Sequence, residues 1–163
     1  MKHLIASLAA VLFLAGISPA PSKDSDEGCQ EQNQRVVDLI TRYREMRDKR
    51  RRLPEGTYDK DLRDDNGKLH KVLSSLGEEL GHPPYTKQII VGCLGEPDAI
   101  KSGQQMRPFL EIYHRELRKA GRKIEEKRDR EYLIYHWRGG HDFMFFINDD
   151  GTIVDHGWWF AYE

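Results

Sequence analysis

Apolar residues in the first two thirds of the chain recur at three- and four-residue steps, which is the spacing of an amphipathic helix. Four segments share this pattern: 30–52, 69–80, 86–94 and about 104–120. Thr86 can cap the third helix, and Gly95 can end it in a left-handed conformation. The polar, turn-rich stretch 58–68 predicts a loop. The sequence thus predicts a helical part at about 30–120.

From residue 131 onward the pattern changes to alternating or continuous apolar positions, which indicates β-strands. Two-residue turns at Gly139-Gly140 and Asp150-Gly151 separate three of them. The predicted strands are 132–138, 141–148 and 152–162. We therefore predict a single α+β domain over 23–163, in which helices pack on one face of a three-stranded or larger antiparallel meander at about 131–162.

The first predicted hairpin carries large apolar side chains on both faces. If residues 139–140 form the whole turn, Arg138 pairs with His141 and Ile134 with Phe145. Two interpretations of the second apolar face stay open. Either the face is exposed and marks a contact surface, or the long N-terminal helices cover it.

The first residues of the chain have the three parts of a secretory signal peptide. Lys2 supplies the cation, residues 4–15 are apolar, and small residues precede the cleavage site. The apolar run is shorter than the roughly 20 residues that span a bilayer. Cleavage after Ser22 avoids a proline at the first mature position. We expect a signal peptide at 1–22 and a secreted or periplasmic product with no transmembrane segment.

The chain has two cysteines, Cys29 and Cys93. In an oxidising compartment an even pair predicts a disulfide bond. The alternative, a nucleophilic thiol, needs a neighbourhood that lowers its pKa, and the local sequence supplies none. Cys29 also lies beyond a charged stretch, too far from the apolar run for a lipidation site. We expect a protein without a lipid anchor.

Opposite charges nearly balance, with 26 Lys and Arg against 27 Asp and Glu and a formal net charge of −1. A balanced chain has no overall field that attracts nucleic acid or an anionic membrane. We therefore expect a partner other than nucleic acid.

Three histidines of the predicted sheet, His136, His141 and His156, raise the question of a metal or acid–base site. A simple second turn puts His156 on the face of His136, and a turn with a bulge puts it on the other face. His141 and Asp142 could also form an orienting pair in a hydrolase. We expect no catalytic residue, metal or cofactor. A small extracellular hydrolase or metal-dependent enzyme that uses these four residues is the alternative.

The C-terminal segment is the densest aromatic tract. Alternation along a strand sends Trp158 and Phe160 to one face and Trp159 to the other. Such side chains dominate binding energy when they fill a partner's pocket. The candidate partner-binding residues are Trp137, Trp158, Trp159, Phe160 and Tyr162. We predict an exported, non-enzymatic domain that binds a protein or another cell-envelope component through an aromatic sheet face.

Several segments from residue 89 to the end occur in an order that is also found in a known family of small domains. They are the helix stop Leu94-Gly95-Glu96-Pro97-Asp98, the strands 132–137 and 143–147, and the turn 149–153. In this the chain resembles the small domains of the SmpA/OmlA outer-membrane assembly lipoproteins and the related fold of the beta-lactamase inhibitory proteins. The resemblance implies helices packed on an antiparallel sheet and a role in binding other proteins. The chain differs from the lipoproteins in lacking their lipidation cysteine, and it adds a long helical region before Pro83.

The cleavage site is directly testable. Secretion of the full chain from a host with a signal peptidase should yield a product whose N-terminal residue is Lys23, because cleavage after Ser22 satisfies the small-residue rule. N-terminal sequencing or intact mass measures this. A product that keeps residues 4–15 would contradict the expectation.

Overall fold

A computed structural model describes residues 33–54, 56–122, 125, 127–138 and 141–161. The domain is α+β, as the sequence predicts. Its elements, in chain order, are α1 (Gln34–Arg52), α2 (Lys60–Arg63), α3 (Lys68–Leu80), α4 (Lys87–Leu94), β1 (Ala99–Ser102), α5 (Gly103–Lys119), β2 (Glu131–Arg138), β3 (Asp142–Asp149) and β4 (Thr152–Trp159). Every described helix is too short or too polar to cross a lipid bilayer.

The four predicted helices are confirmed as α1, α3, α4 and α5, and side-chain caps fix where three of them begin. The Thr86 hydroxyl accepts a hydrogen bond from the Ile89 N–H at 3.3 Å. Ser102 and Gln105 form a reciprocal capping box at the start of α5. The Asn33 side chain caps α1 by accepting a hydrogen bond from the Val36 N–H. Gly95 ends α4 where the sequence predicts and has a positive φ of 78°, but its ψ of 175° is extended, so the expected left-handed conformation is wrong; glycine alone adopts this region readily.

Two short elements were not predicted. The predicted loop 58–68 contains α2, which Asp59 caps and which buries Leu62. The four residues of β1 pair antiparallel with β2 and extend the meander to four strands in the order β1-β2-β3-β4. Both elements are a single turn or a few residues long, so neither produces a readable period in the sequence.

Helices cover both faces of the sheet, so the expectation that they pack on one face is wrong. The first four helices cover the face that carries Tyr135, Trp137 and Phe146. Helix α5 covers the opposite face, where Met106 and Leu110 pack on Phe145 and its neighbours. A sheet with apolar side chains on both faces needs a layer of helix on each. The N-terminal helices thus supply only one of the two layers.

The predicted register of the first hairpin is confirmed along most of its length, where His136 lies opposite Phe143. Beside the turn the prediction is wrong, because Arg138 pairs with Asp142 and not with His141, across an irregularity in the ladder. The second turn is the predicted two-residue turn. Its residues Asp150 and Gly151 have φ values of 51° and 88°, as the favoured two-residue hairpin turn requires.

A second irregularity separates the two ends of β4. Ile147 lies opposite Asp155, but its neighbour Asn148 lies opposite Ile153, so Val154 is an extra residue on β4. Such a β-bulge moves every later side chain of the strand to the other face. Each side chain of β4 beyond Val154 therefore lies on the opposite face of the sheet from the one it would occupy in a ladder without a bulge.

A buried guanidinium joins α1 to the end of α4 and to the sheet. Arg47 is 5% exposed and donates hydrogen bonds to the carbonyl oxygens of Leu94 at 2.8 Å and Glu96 at 2.6 Å. It also donates to the Asp98 carboxylate at 3.0 Å, whose second oxygen accepts from the His136 N–H at 2.8 Å. The last carbonyls of a helix have no partner within it. Arg47 supplies that partner for α4.

Two further arginines of α1 extend this contact by one turn in each direction. Arg44 donates to the carbonyl oxygens of Gly92 and Cys93 in α4. Arg50 donates to two backbone carbonyl oxygens of β2. One face of α1 therefore holds the end of α4 and the second strand together.

Replacing Arg47 by Ala should lower the free energy of unfolding by about 3 kcal/mol, because it leaves buried carbonyls and the Asp98 carboxylate without their donor. Urea denaturation followed by tryptophan fluorescence measures the change. Arg51 is exposed on the same helix, and Arg51→Ala should change stability by less than about 0.5 kcal/mol. Equal losses in the two variants would contradict the role assigned to Arg47.

Candidate functional site

The three sheet histidines do not meet. His136 lies on the α5 side of the sheet, with its ring 5.7 Å from that of Phe143. Because of the bulge at Val154, His156 lies opposite Phe146 on the other side. His141 is exposed in the turn before β3. In the part of the chain that the structure describes, no group of three or more His, Cys, Asp or Glu side chains could hold a metal ion.

His156 is a packing residue of the interface between β4 and α3. Its ring lies so close to Gly77 and Gly81 that a Cβ atom at either glycine would overlap it. The carboxylate of Asp155 stands 3.9 Å from its Nδ1. Burial lowers the pKa of His156, although Asp155 acts in the opposite direction. The imidazole therefore fills a space that two small residues leave open.

Asp142 has a structural partner at each oxygen. It is 2% exposed and accepts hydrogen bonds from Arg138 Nε at 2.6 Å and from the Ala161 N–H at 2.8 Å. It thereby ties the first hairpin to the segment that follows β4. Asp142 and His141 do not form the orienting pair that the alternative, a hydrolase, would use, because the carboxylate is bound elsewhere and the imidazole lies in the exposed turn.

The aromatic side chains divide between the two faces as alternation predicts, but the sheet face they were expected to expose is covered. Trp137 is fully buried, so it cannot touch a partner directly. Trp159 lies on the α5 side, 5.1 Å from Phe109 between ring centroids. Trp158 and Phe160 lie on the other side and are half-buried. Tyr162 lies outside the described residues.

Trp158 and Phe160 form a stacked pair with ring centroids 5.7 Å apart and an interplanar angle of 10°. The ring of Trp137 meets both edge-on at about 6 Å. His70 of α3 packs against the same group, 4.6 Å from Trp158. We call these four residues the aromatic cluster. It forms the half-exposed end of the core between the sheet and the first four helices.

The strand that carries this cluster is an edge strand. Tyr85 and Lys87 cover its beginning, since the Ile153 N–H donates to the Tyr85 carbonyl and the Lys87 N–H to that of Gly151, at 2.8 and 2.9 Å. Beyond Ile153, no described segment pairs with the outer side of β4. The aromatic cluster therefore stands beside an open sheet edge.

Sequence patterns missed a cavity of about 870 Å³ on the other side of the sheet, beside α5. Its charged lining includes Arg107, Arg118 and Arg128. Two of these arginines belong to the exposed face of an amphipathic helix, which on its own indicates only a solvated surface. The third comes from the connection to β2, and only the fold brings them together.

Two other predictions fall partly or wholly outside the described residues. Cys93 is fully buried, but Cys29 is not described, so the disulfide bond between them stays a prediction. The signal peptide at 1–22 also lies outside the described residues and stays a prediction.

Comparison with known proteins gives no match. No family model matches the chain, and neither a curated protein nor a solved structure is significantly similar to it. The resemblance to the SmpA/OmlA domains stays a prediction.

Because three histidines are half-buried, we predict that the protein loses stability in mild acid. Burial lowers the pKa values of His70, His136 and His156 below 6.5, so the unfolded chain takes up protons first as the pH falls through that value. Their contribution to stability is complete above about pH 6.5 and is lost as the pH falls toward the folded-state pKa values. Urea unfolding at about pH 7.5 and about pH 5.5 measures the difference.

Two variants separate this effect from general acid denaturation. His156→Gln should reduce the difference in the free energy of unfolding between the two pH values, because it removes an imidazole whose burial opposes protonation. His141→Gln is the matched control, because it makes the same replacement at a residue that is exposed in a turn. If the free energy of unfolding of His156→Gln differs between the two pH values as much as that of wild type, the role assigned to His156 is wrong.

Proposed function

We propose that this protein is an exported, non-enzymatic domain that binds a protein partner along the open edge of β4, with Trp158 and Phe160 as anchoring side chains. The observation that carries the proposal is the half-exposed stacked pair that these residues form at a free sheet edge. An edge strand presents unpaired N–H and C=O groups to a second chain. An extended segment of a partner can add to it as a further strand.

The edge limits where such a partner can pair. The beginning of β4 is covered by Tyr85 and Lys87. After the bulge at Val154, the His156 N–H is already bound by the carboxylate of Asp155 at 2.8 Å. The accessible part of the edge therefore begins beyond His156, beside Trp158. Pairing and aromatic contact would occur at the same place.

The aromatic cluster is suited to anchoring because it is already ordered. Trp158 and Phe160 are two residues apart and share one side of the strand, with the buried ring of Trp137 behind them. Side chains in fixed positions lose little entropy on binding. An apolar side chain of the partner strand would lie against the exposed surfaces of the two rings.

Three further points favour a binding role. The sheet histidines point to different faces, and Asp142 is bound to Arg138 and to the backbone. The expected signal peptide would bring the domain to partners outside the cytoplasm. The SmpA/OmlA domains and the beta-lactamase inhibitory proteins that the sequence resembles act by binding proteins.

Peptide selection on the oxidised mature chain can test the proposal. A random peptide library should yield extended sequences with an apolar or aromatic anchor, and the dissociation constants of synthetic versions can be measured by fluorescence anisotropy. Trp158→Ala should weaken binding about 30-fold, the loss of a hot-spot residue worth about 2 kcal/mol. N-methylation of alternate peptide nitrogens should also weaken it, because strand pairing needs their N–H groups.

Trp159→Ala is the matched control, because the adjacent indole is also half-buried but lies on the α5 face. Binding in that variant should stay within about threefold of wild type, since a side chain remote from the contact contributes little. Equal losses in both variants would indicate a general effect on the fold. Selected peptides that bind Trp158→Ala as tightly as wild type would overturn the proposal.

A further inference from the structure

The cavity beside α5 lies on the opposite side of the sheet from the aromatic cluster. One wall is a face of α5, where the exposed residues Arg107, Glu111 and Arg118 and the buried His114 recur at helical steps. The other wall comes from the segment 127–130, which leads into β2. The cavity measures about 870 Å³, which is within the range of about 300–1,000 Å³ typical of small-molecule sites.

Backbone contacts hold the two walls in a fixed relation. The Gly103 N–H donates to the Arg130 carbonyl oxygen at 2.8 Å, and the Gln104 N–H donates to that of Arg128 at 3.4 Å. A Cβ atom on residue 103 would overlap the Lys127 carbonyl oxygen, so glycine is needed for this close approach. The first turn of α5 thus places Arg128 at the same end of the cavity as Arg107.

Salt bridges to the sheet hold the second wall, the segment 127–130, in place. Arg130 is 6% exposed and its guanidinium donates to the Asp149 carboxylate at 2.7 Å. Lys127 binds the same carboxylate at 2.8 Å. These two cations therefore share one carboxylate of the sheet. Arg128, between them in sequence, is exposed.

The remaining charges of the cavity are unbalanced. Arg107, Arg118 and Arg128 are exposed, and none has an ion-pair partner among the described residues. Among the described residues of the lining, Glu111 is the one acidic side chain. This excess of positive charge stands out in a chain whose formal net charge is −1. Concave surfaces of one sign concentrate oppositely charged ligands.

We propose that this cavity binds a small anionic molecule through its phosphate or carboxylate groups, with the first anionic group held between Arg107 and Arg128. The planar guanidinium group matches both anions with paired hydrogen bonds. Arg118 lies 11 residues from Arg107, about 16 Å along the helix axis. Glu111 stands between them and repels an anion at the middle of the cavity. The site therefore favours ligands whose charge lies toward the Arg107 end.

Isothermal titration calorimetry on the oxidised mature chain can test this site, with pyrophosphate and citrate as probes and sodium chloride at equal ionic strength as the reference. At least one probe should bind, and the tighter of the two identifies phosphate or carboxylate as the preferred group. Arg107→Gln and Arg128→Gln should each weaken binding about tenfold, because each removes charge-assisted hydrogen bonds. Glu111→Gln should tighten it.

Arg115→Gln is the matched control, because Arg115 lies on the same helix outside the cavity lining, beside Glu116. It makes the same change in net charge and should leave binding within about twofold of wild type, since exposed charges more than a Debye length apart are largely screened. Equal weakening by all three arginine variants would overturn the proposal in favour of general attraction to charge. Heats no larger than those of sodium chloride for both probes would also overturn it. Trp158→Ala should have no effect, which separates this site from the proposed peptide site.

Discussion

The contact of Arg47 with the end of α4 is the constraint on which the rest of the fold depends. A helix that ends inside a protein leaves its last carbonyls without donors, and here the chain must leave the helix and enter β1 within a few residues. Arg47 binds the last carbonyl of α4, that of Leu94, and the carbonyl of Glu96 just beyond the helix. It also binds Asp98, which in turn binds the backbone of β2. The rings of Tyr43 and Tyr135 lie 5.9 and 5.7 Å from its guanidinium. Burial raises the pKa of Tyr43 to about 12, against the opposing effect of Arg47, so the phenol stays neutral and Asp98 balances the charge.

Once Arg47 fixes the junction between α4 and β1, the path of the chain determines which surfaces stay exposed to a partner. β1 pairs with the outer side of β2, and α5 starts directly after it and crosses the second face of the sheet. The first four helices already cover the first face. Neither apolar face is then open to a partner, although both are rich in aromatic side chains. The rim of the sheet and the polar side of α5 stay available, and the aromatic cluster and the cavity lie there.

Features with a local physical cause were predictable from sequence. The apolar periods gave the four main helices, the caps at Thr86 and Gly95 bounded one of them, and Asp150-Gly151 gave its turn. Features that depend on distant contacts were not. No turn residue in the sequence indicates the bulge at Val154. The cavity arginines are each ordinary surface residues, and their proximity depends on Gly103 meeting the backbone of residues 127–128.

The bulge at Val154 also determines how the two proposed sites are separated. Without the extra residue, Trp158 would point toward α5 and Trp159 toward α3, because a shift by one position reverses every side chain of a strand. With it, Trp158 joins Trp137 and His70, and Trp159 packs on Phe109. The aromatic anchor and the cationic cavity thereby lie on opposite sides of a sheet whose core positions are filled. A ligand at one site needs no rearrangement at the other, so a single small domain can present an apolar contact and an anion site independently.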